Sequence, residues 1–300
     1  GANDNASGMA GTIEAARVLS KYKFDNSIIY VGLSGEEQGL LGGKSLASYA
    51  KKKGWEIIGV LNNDMIGNIE GVDGVIDNRS FRIFSEPFSF NPKYANGLNM
   101  RTQGGENDGL SRQLARYVHK TVKKYMPELN PIMIYRLDRF GRGGHHRPFN
   151  DEGFAGIRIM EAHENYIRQH NDIRNENGID YGDVLSGVNF DYAAKLTSVN
   201  AISLASIASS PKPPNNLKIG GIVEPSVRFR WEQPDDSSIT GYKIYWRETT
   251  SSTWEYSKTI GLVDNYILDG IVIDNFIFGV SSINSEGYES LVVFPGSTFR

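Results

Sequence analysis

Cysteine is absent from the 300-residue chain. That excludes a disulfide framework, a thiolate metal site and a thiol nucleophile. Apolar runs long enough to cross a bilayer are also missing, and the mean hydropathy is −0.37. Nor is there an excess of one charge: 32 basic residues face 35 acidic ones, for a net −3. This balance provides no broad field for nucleic acid or an anionic membrane. The opening Gly1-Ala2-Asn3-Asp4 does not read as a signal peptide, and no Met starts the chain. The expectation is that an upstream segment, with any targeting signal, has been removed.

Two kinds of periodicity are present. Over residues 1–208, helix-like and strand-like segments alternate, which predicts a mixed, mostly parallel α/β sheet flanked by helices. Helices are expected over Ala6–Lys23, Leu40–Lys53, Gly109–Met126 and Phe190–Ala208. Ile28–Ser34 is a nearly continuous apolar run, as a buried parallel strand would be. Ile57–Asn62, Arg82–Ser85, Ile132–Tyr135 and Gly156–Met160 are expected as further strands. Residues 209–216 (SSPKPPNN) form a stiff, proline-rich linker. Beyond it, over 217–300, the helical period gives way to short alternating strands, so a small β-sandwich follows.

Acidic residues cluster at the ends of these elements. Asp4 lies in GANDNASG, before the first helix. Glu36 and Glu37 follow IIYVGLS, and Asp64 follows IIGVLN. Sites in open α/β sheets form beyond the carboxyl ends of strands, so these carboxylates are expected to face one crevice. His170 stands in the polar loop IRQHNDIR. Taken singly, each has an ordinary reading: Asp4 as a helix cap, Glu36-Glu37 as a solvated helix start, His170 as a surface histidine. Taken together they make a set of oxygen and nitrogen ligands suited to zinc, although Mn²⁺ and Co²⁺ accept similar donors.

GANDNASG, SGEEQGLLGG, LNNDMIG and ENYIRQHNDIR resemble, in order, the motifs of metallopeptidase family twenty-eight, which contains bacterial leucyl aminopeptidase and aminopeptidase Y. The resemblance covers roughly residues 1–208. It implies a zinc exopeptidase fold and a peptide substrate. Asp4 would bridge two zinc ions, Glu37 and His170 would complete one, Asp64 would bind the other, and Glu36 would be the general base. The family also has a histidine in an upstream H-x-D motif, and nothing precedes Gly1 here. The resemblance therefore implies two zinc ions in the intact protein, with one or none in this chain. RFGRGGHHRPF resembles a glycine-rich stretch beside the family's active site, which makes His146 a candidate substrate contact, with a structural loop as the competing reading.

Trp231, Tyr242, Tyr245, Trp246 and FIFGVSSINSEGYES resemble a fibronectin type III domain, with Trp231 as its buried tryptophan. That domain is expected to be a spacer or packing partner, with cell-surface or polysaccharide contact left open. The leading expectation is a secreted, periplasmic or cell-surface bacterial aminopeptidase. The alternatives are a single-zinc glutaminyl cyclase-like acyltransferase and a catalytically inactive adhesion module.

Overall fold

A computed structural model describes residues 1–87 and 102–299. A kinked turn, Ala2–Ser7, with non-helical backbone at Asp4 and Asn5, leads into α1 (Gly8–Leu19), and α2 covers Leu41–Lys52. The first sheet contains β1 (Val60–Asn63), β2 (Ser80–Phe84), β3 (Asn130–Ile134) and β4 (Gly156–Glu161) in the order β1-β4-β2-β3. β1 runs parallel to β4 and β2 parallel to β3, while β2 and β4 are antiparallel. The sheet is thus mixed and mostly parallel, as expected. Between the strands lie α3 (Leu110–Tyr125) and the short α4 (His146–Asp151), and α5 (Phe190–Ala208) closes this part of the chain.

Phe81 and Ile83 from β2, Ile157 and Ile159 from β4, Leu114 and Val118 from α3, and Leu196 from α5 form the core. β4 sits between β1 and β2, and all six of its residues are buried. Each apolar side chain there contributes about 1.5–3 kcal/mol by leaving water. Two buried residues of the same strand, Arg158 and Glu161, are ionisable. Both belong to the site described below.

One expected strand does not form. Ile28–Ser34 carries no regular structure, with Ile29 60% and Val31 41% exposed. A strand requires a ladder partner for its backbone groups, and none of the described strands lies alongside. An apolar slot of about 530 Å³ occupies that place. Ile28, Tyr30, Ile57 and Leu61 are among the residues that line it.

Pro211, Pro213 and Pro214 separate α5 from the sandwich, whose first strand, β7 (Asn215–Gly220), begins inside the stretch expected to be linker. Before it, β5 (Arg174–Glu176) and β6 (Ile179–Tyr181) form a small hairpin after His170. β8 (Ser226–Glu232), β9 (Ile239–Glu248), β10 (Tyr256–Ile260), β11 (Asn265–Asp269), β12 (Phe276–Asn284) and β13 (Ser297–Thr298) complete two sheets, β10-β9-β12 and β11-β8-β7-β13. Alternation along β8 turns Val227, Phe229 and Trp231 inward. Trp231 meets Tyr242 edge-on at 5.0 Å.

The sandwich packs on α3. Asp108 accepts from Arg116 at 2.8 Å and from Arg247 of β9 at 2.7 Å, and all three are buried. Ser252 O accepts from Arg116 Nε and from the Tyr135 hydroxyl. Of the two roles expected for this domain, the contacts match a packing partner. No helix among the described residues is long and apolar enough to cross a membrane.

Candidate metal centre

Asp4 is presented by a turn in which its neighbours carry out the anchoring. Asn3 Nδ2 donates to both carboxylate oxygens of Glu161, at 3.1 and 2.9 Å, and Asn3 Oδ1 accepts the Gly67 N–H. Asn5 Nδ2 donates to Asn63 O at 2.8 Å, and Asn5 Oδ1 accepts from Met65 N–H. The two asparagines thus stitch the turn to residues 63–67, the segment that carries Asp64. Ser7 adds a bond to Asn3 O and receives one from Ile66 N–H. Gly8 has to be glycine, since a β-carbon there would collide with Asn63 O and Asn5 Oδ1. A cis peptide joins Asp4 to Asn5.

His170 arrives from the opposite side on the loop between β4 and β5. Its φ of +53° places it in the left-handed region, and its ring nitrogen Nε2 lies 2.9 Å from Asp4 Oδ2 and 3.1 Å from Glu37 Oε1. One donor atom each from Asp4, Glu37 and His170 fall within 4.8 Å of one another. Gln169, the preceding residue, is fixed by Glu164, which also pairs with Arg82 and Arg139 at 3.0 Å each.

Asp64 follows β1 and is buried. Burial holds its carboxyl above the usual carboxylate range; Asp4 adds to that and the Arg158 guanidinium opposes it. Arg158 Nη2 stands 3.1 Å from Asp64 Oδ2, while Arg158 Nη1 donates to Asp138 and to Gly143 O. Glu36 is half-buried, and burial pushes its carboxyl up to about 7, with Asp64, Glu37 and Asp4 adding to the shift. Four carboxylates therefore crowd one crevice. Such crowding calls for a cation beyond the one that Arg158 supplies. A Zn²⁺-sized ion fits the donor set of two carboxylates and one imidazole, which leaves a fourth position open.

His146, expected at the substrate, is not there. It is fully buried, its Nε2 donates to Leu137 O at 2.8 Å, and burial drives its pKa down to about 4. It is therefore a neutral packing residue of α4. The neighbouring His145 accepts the Gly43 N–H through Nδ1. Glu161, Asp138, Arg158 and Asp183, all of which support the centre, were not marked as site residues by the sequence pattern. The signal for the first three was a charged residue in or near an apolar strand.

Comparisons with known proteins place the chain in a family. The model of Peptidase family M28 matches residues 1–184. A probable zinc metalloprotease of Pyrenophora tritici-repentis is 35% identical over 298 residues, covering 98% of this chain and 69% of the relative. Another, from Pyrenophora teres f. teres, is 38% identical over 298 residues, covering 98% of this chain and 62% of the relative. The chain thus spans somewhat under two thirds to just over two thirds of the length of these curated relatives. They are fungal, so the expected bacterial source finds no support among them. The solved fibronectin type III domain of human collagen alpha-1(XX) chain aligns with 29% of this chain and 82% of its own, at 20% identity and a TM-score of 0.25. The family match covers more than half of the sequence, and the chain belongs to peptidase family M28.

Proposed function

We propose that this chain carries the catalytic centre of a zinc-dependent exopeptidase that removes amino-terminal residues from peptides. The observation that carries this reading is the convergence of Asp4, Glu37 and His170 beside a half-buried Glu36 whose pKa is raised to about 7. Zinc, when held by these residues, supplies a Lewis acid that polarises the scissile carbonyl and acidifies water.

Glu36 does the proton work. Without an ion, burial and the neighbouring carboxylates hold Glu36 near 7, and a cation held beside it would lower that and favour the base form that accepts the first proton. It accepts a proton as the water oxygen bonds to the carbonyl carbon. It gives that proton to the amide nitrogen as the C–N bond breaks, leaving a free amine and a carboxylic acid, whose own proton passes to the amine or to solvent. Asp64 lies close enough to raise the Glu36 pKa and is the remaining acid for a second ion or for the substrate's ammonium group. An acidic crevice favours a positively charged amino terminus over a blocked one. Relatives named zinc metalloproteases support hydrolysis over acyl transfer and over an inactive module.

The test is Glu36→Gln with zinc content measured alongside turnover. Lost turnover at unchanged zinc is expected, and ordinary turnover would sink the assignment. Equal cleavage of free and N-acetylated peptides would remove the aminopeptidase reading and leave the peptidase.

A further inference from the structure

We propose that Asp183 is a positioning residue for the metal centre, acting through the main chain of Asp4. The inference rests on the assignment of Asp4 and His170 as ligands. Asp183 Oδ1 accepts the N–H of Asn3 and Oδ2 accepts the N–H of Asp4, each at 2.7 Å. Its side chain is only 10% exposed, so water competes weakly for these bonds. Hydrogen bonds to an ionised acceptor are about twice as strong as neutral ones. A third link, from Ala2 N–H to Asp183 O, runs along the same edge.

The place of Asp183 in the chain gives this grip its consequence. His170 is carried on an excursion that leaves β4, forms the β5–β6 hairpin and returns at Asp183. The base of the excursion is closed where Gly182 N–H donates to Ile167 O at 3.1 Å. Gly182 has φ +119°, and a β-carbon there would sit 2.9 Å from Ile173 Cα. One carboxylate therefore ties the turn that presents Asp4 to the root of the loop that presents His170. The 2.9 Å spacing between the two donor atoms depends on that tie. Asp183 is not among the converging donors Asp4, Glu37 and His170.

The experiment measures zinc affinity by competition with a chromogenic chelator, and the absorption spectrum of the cobalt-loaded chain, for Asp183→Asn. Asn keeps the shape but turns an NH₂ group towards one of the two N–H donors. Affinity is expected to fall by about 10–100-fold, with a changed cobalt spectrum and unchanged circular dichroism. Asp180→Asn, on the exposed hairpin, is expected to leave both readings alone. Asp183→Glu keeps two acceptor oxygens and is expected to restore most of the affinity. A loss of affinity that comes with altered circular dichroism assigns the loss to folding and overturns the proposal. If Asp4→Ala loses zinc while Asp183→Asn retains it with an unaltered spectrum, the positioning role alone is wrong. If the unsubstituted chain binds no zinc, or Asp4→Ala binds as well as the unsubstituted chain, the ligand assignment falls, and this inference with it.

Discussion

Asp108, just ahead of α3, and Arg247, in the β-sandwich, meet as an ion pair at 2.7 Å with side chains 0% and 3% exposed. Arg116 shares the same carboxylate at 2.8 Å. Removing one partner of a buried pair strands the other charge at a cost of about 3–5 kcal/mol. Arg247→Ala should sit near the lower end of that range, because Asp108 keeps Arg116. Urea unfolding should show the loss. Fluorescence and circular dichroism should trace one transition in the unsubstituted chain, since the domains share this buried contact. Two well-separated transitions in the unsubstituted chain would refute the idea of one cooperative unit.

His146→Ala tests whether the glycine-rich stretch serves the substrate or the core. With its ring fully buried and bonded to Leu137 O, loss of the imidazole removes core packing and that hydrogen bond together, at about 0.5–3 kcal/mol. Stability should fall by that amount while KM for a peptide substrate stays unchanged in the folded fraction. A raised KM at unchanged stability would return His146 to the substrate site.

The centre was legible in the sequence because its donors lie in contiguous motifs next to apolar runs. Asp4, Glu37 and His170 could be named, and the fold brings them together. Their supports were less visible. Glu161 and Arg158 lie in GIRIME, where the apolar neighbours dominate the pattern. Asp183 reaches the centre only because a hairpin folds back on itself, and spacing in the sequence gives no sign of that. The same limit explains Ile28–Ser34. Hydrophobicity predicts that a segment seeks burial, but strand pairing depends on what lies beside it, and here that is a slot. Between His145 and His146, the sequence offers no means of telling which ring faces the core.

Glu161 makes the stability of the chain depend on pH. Burial raises its carboxyl to about 8 from 4.5, despite the bonds it accepts from Asn3 and Asn68. The folded chain therefore keeps a proton that the unfolded chain releases. Below pH 4.5 both states hold it, and the contribution is fully present. Between 4.5 and about 8, stability falls as pH rises, by about 1.4 kcal/mol per pH unit from this group, and above 8 the loss is complete. Glu161→Gln should flatten that slope in urea unfolding measured from pH 5 to 8. An unchanged slope would show that Glu161 is ionised in the folded chain throughout.

Zinc should stabilise the folded chain, and the stabilisation should follow the ligands rather than the base. An ion that binds only the folded state adds about 2.7 kcal/mol at a hundred times its dissociation constant. Here it would also relieve the crowding of Asp4, Glu36, Glu37 and Asp64, which the fixed charge of Arg158 opposes at Asp64 and Glu36 without cancelling it. Thermal melting with zinc and after chelation should therefore separate by several degrees. His170→Ala and Glu37→Ala should abolish the separation, because each removes a donor from the converging set. Glu36→Gln should preserve or enlarge it, since it deletes a negative charge without deleting a ligand. Should Glu36→Gln lose the zinc-dependent shift while Glu37→Ala keeps it, the two adjacent glutamates would have to exchange roles.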